Sequence, residues 1–450
     1  MRRIAFLFLA AISLACAATA ATRPRYGGTL RVTLQSAPNT LDLPANSAPA
    51  DYWDAARVLS LLADNLVTLD AQNRAHPALA IAWQSEATAK HWQFTMRHGV
   101  KFHDGSMASA GAIAQILGAL HSDWNVHASG DSLAMDLDTS VPSLLAELAL
   151  PRNLILKRNA SGLPIGTGAF RVAEWQPGKL LKLAANEESW SGRPFLDAVE
   201  IEFGKSLRDQ AIALELGKTD VTEAATQAAG SNASPRIRTS LPVELMALVF
   251  SANSKAQESR LREALALSID RKPIQSVLLK GAGEPAASVL PNWMTGYSSV
   301  FSTQADVHRA NVVLAESRQP SLTLSYDPRD PQAQLIAERI ALNAREAGIT
   351  VQVSLSGADD FRLVRVVLPS ADPATSIQEA ARHLGLPQPV LRSNAVEDLY
   401  QAEHTLLDGH MVIPLFHLPV ASVASARVRD WAPDRLGGWN LPDLWLEDAR

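Results

Sequence analysis

The stretch HWQFTMRHGVKFHDGS, His91 to Ser106, holds three histidines and an aspartate directly after the last of them. Imidazole beside carboxylate is the material of metal sites and acid–base pairs. The spacing argues against their convergence. Trp92, Phe94 and Met96 alternate with Gln93, Thr95 and Arg97, so HWQFTMR reads as a strand with one buried face. His98-Gly99 and Asp104-Gly105 are turn dipeptides. His98 and His103 are five residues apart, and an odd separation sends side chains to opposite faces of a continuous strand. His410 and His417 flank MVIPLF with an odd separation too. The expectation is a structural turn, with no metal site and no catalytic residue.

Other catalytic patterns are missing from the sequence. It contains no G-x-S-x-G, no H-E-x-x-H, no P-loop and no G-x-G-x-x-G. The G-T-G of PIGTGAF reads as a turn. No cofactor is implied.

The elements that must position any site mix strands and helices. GGTLRVTLQ alternates Leu30, Val32 and Leu34 with polar residues, a half-buried strand. The Pro- and Asn-rich run after it is a loop, followed by a helix near 54–63 and a strand in NLVTLDAQNR. SLTLSYD, PQAQLIAERIALNAREAG and TVQVSL read as strand, helix and strand. Pro331 suits the first helical turn and Gly348 a left-handed cap, so the two strands should lie parallel with a crossover helix. RLREALALSIDRKPIQSVLLKG reads as a second helix stopping at Gly281, VIPLFHLPVASVASARV as a strand and turn, and WAPDRLGGWNLPDLWL as irregular. The class is α/β with several lobes.

Composition bounds the function. With 450 residues, 47% hydrophobic and 19% charged, the chain is an ordinary globular protein of two or three domains' length. Its net charge of −5 and lack of a basic tract argue against nucleic acid. Arg2 and Arg3 precede the apolar run Ile4–Leu14 and then Ala18-Thr19-Ala20, the pattern of a cleavable secretory signal over 1–20. The only cysteine, Cys16, lies inside it. Lipidation there is the alternative, but Ser13 stands where a lipobox wants leucine, so a free periplasmic form is expected.

Several segments, in order, resemble the family 5 extracellular solute-binding proteins, the dipeptide, oligopeptide and nickel receptors of ABC importers. They are YGGTLRVTLQSAPNTLDLP, the block LADNLVTLD…HWQFTMRHGVKFHDGS with Ala80 and Trp83, PIGTGAFRVAEWQPGKLLKLAANEESWSGRPFLDAVEI, RLREALALSIDRKPI, and VIPLFHLP with GGWNLPDLWL. The resemblance implies a bilobal periplasmic-binding-protein-like fold (type II) with an extra inserted domain. Lobe I would be discontinuous, 21–60 with 163–241 and 420–450. The inserted domain would cover 61–162 and lobe II 242–419. A monomer would capture a peptide or peptide-like solute between its lobes and hand it to a permease in the inner membrane.

The chain departs from the family's peptide binders. Their Trp and Asp before a D-P step fall here on Val366 and Pro369, while Asp372-Pro373 fits the step itself. A proline cannot neutralise an ammonium, which puts ordinary dipeptide recognition in doubt. MASAGAI follows the H-D-G where TAED-like residues usually stand, and the insert is short. The expected ligand contacts are Asn39, Thr40 and Asp42 in the first loop, Arg329 and Asp372 in lobe II, and Trp439 near the end. Nickel or metal-chelate binding, and a sensing or chaperone role on the same fold, are the alternatives.

Overall fold

In the computed structural model, residues 23–447 are described apart from 44–48, 71, 231–233, 235, 298, 316–320, 356–358, 392 and 432. The expected signal segment and Cys16 lie outside the described residues. Among these, no helix is long and apolar enough to cross a membrane.

One eleven-stranded sheet runs through most of the molecule. At one end, Thr29–Thr33 lies parallel to Ala198–Glu202 and to Val221–Glu223, with the hairpin Phe170–Gln176 and Leu180–Ala185 outside them. Leu30 and Val32 pack with Leu181, Val199 and Ile201 into one core. At the other end, Phe361–Val367, Leu322–Tyr326 and Val351–Ser354 carry a second core. Two long strands, Ile237–Phe250 and Val412–Ala424, pair antiparallel and belong to both ends. Their ladder is irregular where Pro242 faces Pro419. Proline has no N–H to give the ladder, so the strands can bend there. The result is two lobes joined by a pair of continuous strands.

A separate four-stranded sheet, Ala80–Ser85, His91–Met96, Ser132–Leu137 and Trp124–Ser129, packs on the helix Ala110–Leu120. Trp92, Phe94 and Met96 are buried in its core, as their alternation requires.

The opening stretch has a structural task. His103 donates Nε2–H to the Gly168 carbonyl at 3.1 Å and accepts the Gly166 N–H at Nδ1, 3.4 Å. Burial lowers the His103 pKa, which keeps this neutral form. Asp104 pairs with Lys157 at 2.7 Å, and that bond brings its carboxyl down to about 2. The G-T-G turn presses on the helix Pro49–Leu62. A Cβ on Gly166 would stand 2.1 Å from the Leu62 carbonyl oxygen, so only glycine fits. The HDG turn and the G-T-G turn therefore clamp the small sheet to the first lobe.

Strand Leu322–Tyr326, helix Ala333–Glu346 and strand Val351–Ser354 form the expected parallel crossover, with Gly348 at φ +80°. Pro331 lies just before this helix, whose cap is Gln332. RLREALALSIDRKPIQSVLLKG is not one helix. It breaks after Ser268, because Asp270 caps the Lys272 N–H at 3.2 Å and Pro273 offers no donor to continue the first segment. The helix expected near 54–63 begins earlier, at Pro49.

Candidate functional site

Between the lobes lies a cavity of about 740 Å³, within the roughly 300–1,000 Å³ of small-molecule sites. Three guanidiniums organise its walls, each between two carboxylates. Arg57 bonds Asp54 and faces Glu223 at 3.7 Å, with its guanidinium 4.9 Å from the Trp439 ring behind it. Arg365 meets Glu244 at 2.9 Å and Asp330 at 2.7 Å. Arg329 meets Asp327 at 2.8 Å and Asp51 at 2.7 Å.

Local structure explains each placement. Asp51, Asp54 and Arg57 are three apart on one helix face. Asp327, Arg329 and Asp330 sit in the turn after a parallel strand, at the carboxyl end where α/β folds place ligands. Arg365 is on a strand whose period of two turns Arg365 to the cavity and Val366 to the core of Leu245 and Ile377.

Burial and the neighbouring Asp54 charge push the Glu223 carboxyl up to about 7, against the pull of Arg57. Glu244 is also raised, by burial. Glu223 accepts the Gln35 N–H at 2.7 Å and a Gln210 amide at 2.9 Å. Among the described residues, the buried Trp53 Nε1 and Arg57 Nε have no hydrogen-bond partner.

The walls touch across the cavity. Gln35 donates to the Arg329 carbonyl at 2.9 Å, and Arg365 donates to Thr226 at 2.7 Å. Asn73, beyond the helix Pro49–Leu62, donates to Asp372 at 3.0 Å, and Arg152 bonds Glu379.

Of the six residues expected from sequence, Arg329 lines this cavity. Trp439 stands one layer back, against Arg57. Asn39, Thr40 and Asp42 do not border it. Asn39 and Thr40 are exposed, and Asp42 pairs with Arg158. The same loop reaches the cavity earlier, through Gln35 and Ser36. Asp372 is buried as a helix cap. It accepts from the Thr375 N–H at 2.8 Å, the Thr375 hydroxyl at 2.7 Å, Asn73 and, at 2.8 Å, Asn394. Pro369 does not border the cavity either. Sequence reading missed Arg57, Glu223, Glu244, Asp330 and Arg365. The Asp51, Asp54 and Arg57 helical spacing was a usable signal, whereas pairing of Glu244 with Arg365 needs the strand register.

A charged interlobe cavity bounded by two continuous strands is the build of a solute receptor. Residues 74–363 match the model of the bacterial extracellular solute-binding proteins, family 5 Middle, and the chain belongs to that family. The nickel-binding protein NikA of Staphylococcus aureus is 24% identical over 251 residues, 53% of this chain and 50% of the relative. The nickel-binding periplasmic protein of Escherichia coli is 24% identical over 350 residues, 67% of this chain and 66% of the relative. The chain thus spans half to just under two thirds of these relatives' lengths. In structure, the fold is that of bilobal binding proteins. S. aureus NikA in complex with Ni(L-His)2 superposes with a TM-score of 0.80 at 16% identity, covering 93% of this chain and all of that one. Bacillus subtilis AppA in complex with a nonapeptide gives 0.79 at 18%, covering 95% of this chain and all of that one.

Proposed function

We propose that this chain is an exported receptor of an ABC importer, which captures a peptide or peptide-like small solute between its lobes and delivers it to a membrane permease. The observation that carries the reading is the closed, charge-lined cavity between lobes that share two strands. Closure around a solute gives the closed state extra affinity, and a closed state is something a permease can read. We place the lobe boundaries at Pro242 and Pro419, with an inserted domain over 61–162. The relatives include AppA, named an oligopeptide-binding protein, and a di/tripeptide-binding protein of Pseudomonas aeruginosa.

The likeness to NikA favours a second reading, capture of a metal already chelated by small ligands. A thermal-shift screen separates the two, since a bound solute raises the midpoint in proportion to RT ln(1 + [L]/Kd). A shift with di- or tripeptides supports the first reading. A shift with nickel plus histidine alone, abolished by a chelator, replaces it with the second.

A further inference from the structure

The cavity walls carry seven carboxylates and five guanidiniums, with no lysine. Six of the carboxylates share only three guanidiniums, those of Arg57, Arg329 and Arg365. The seventh, Asp359, takes its hydrogen bonds from the hydroxyls of Ser251 and Ser325. Of the two remaining guanidiniums, Arg382 is already engaged by Glu379 at 3.1 Å, and Arg362 is exposed at the cavity's edge. His383 is kept toward its neutral form by burial. By formal charge the carboxylates outnumber the guanidiniums by two. Because Glu223, pushed up to about 7, and Glu244, raised by burial, are among the seven, the excess is complete only when both ionise. A cation entering the partly screened cleft would favour that ionisation.

A second, independent observation concerns donors. Trp53 is 9% exposed and Arg57 7%, both line the cavity, and Trp53 Nε1 and Arg57 Nε have no partner among the described residues. A buried donor without an acceptor costs about 1–3 kcal/mol, and both nitrogens are covered by their neighbours rather than open to the cavity.

Resting on the capture reading, we propose that the solute is a net cation: a peptide or peptide-like molecule whose basic group is met by the surplus carboxylates of the cavity wall. Charge complementarity of this kind rejects the opposite sign as much as it attracts the right one.

The test is calorimetric titration of the full chain with Ala-Lys-Ala, Ala-Gln-Ala and Ala-Glu-Ala at low and at high salt. Ala-Lys-Ala should bind at least about tenfold more tightly than Ala-Gln-Ala, Ala-Glu-Ala should bind weakest, and the spread should narrow in high salt. Equal affinities, or preference for the acidic peptide, overturn the inference while leaving peptide capture standing. If none of the three binds, both the capture reading and the inference fall. Asp359→Asn and Asp330→Asn, each checked for an unchanged circular dichroism spectrum, should weaken Ala-Lys-Ala severalfold more than Ala-Gln-Ala. An equal loss for both peptides would show that these carboxylates do not read charge.

Discussion

Arg329 reaches across the cleft to Asp51 at 2.7 Å while its carbonyl accepts from Gln35 at 2.9 Å, so one residue of the second lobe holds two residues of the first. The Arg329 guanidinium is raised above its ordinary value, chiefly by its bond to Asp327 and then by Asp51. Asp51→Ala removes one of these ties. Both partners are partly exposed, so the change should cost closure only about 1 kcal/mol, or roughly fivefold in affinity for whichever solute binds. Small-angle scattering should show a larger radius of gyration for the variant. An unchanged radius and affinity would mean that the tie does not hold the lobes together.

His103 supports the junction of two domains with two hydrogen bonds to glycine backbone. His103→Ala leaves the Gly166 N–H without its acceptor, at an expected cost of about 2 kcal/mol. Denaturant titration measures this. Nickel or zinc should not raise the wild-type midpoint through this histidine, and a shift that His103→Ala abolishes would restore a metal role for it.

Asp372 has its oxygens occupied by four donors inside the protein. Asp372→Ala should lower stability by about 1–2 kcal/mol as a lost helix cap. Solute affinity of the folded fraction should change less than about twofold. A loss of affinity without a loss of stability would return Asp372 to the binding site.

Glu403 is fully buried and accepts from Tyr297 at 2.5 Å and from the Leu290 N–H at 2.6 Å. Burial pushes its carboxyl from 4.5 up to about 7, more than those hydrogen bonds pull it down. The folded state therefore holds its proton more tightly than the unfolded chain. The stability this confers is complete below pH 4.5 and is lost as pH rises to about 7, a difference of roughly 3 kcal/mol. Glu403→Gln should flatten that part of the stability–pH profile. Parallel profiles for the two proteins between pH 4.5 and 7.5 would refute the assignment.

Short-range pattern carried much of this fold. Alternation at Trp92, Phe94 and Met96 found a real strand, and the Leu322-to-Val353 run found a parallel crossover, because both signals lie within a few dozen residues. The second-lobe helix after Arg260 was misread. Its apolar spacing continues past Ile269, while the cap at Asp270 acts on the backbone and leaves that spacing intact. The site was legible only in part. Arg329, expected from the family resemblance, does border the cavity, in the turn after strand Leu322–Tyr326. Arg365 was not picked out, since only the strand's pairing beside Glu244 shows that it faces the cavity. Asp372 drew notice by its D-P step, which in this structure is a cap and the first helical residue.

The two shared strands also dictate an order of assembly. Arg427 donates to the Thr29 carbonyl, a contact spanning 398 residues, and joins Arg31 on the buried Asp220. The first lobe cannot complete its sheet until nearly the last residues of the chain are available. The second lobe, by contrast, closes mostly through contacts within 242–419. Such distant contacts make folding slow, with the contiguous lobe forming first and templating the other through its long strands. The N-terminal strand itself can pair earlier, with Ala198–Glu202 and Val221–Glu223, so the late step is the docking of Val412–Ala424 beside them.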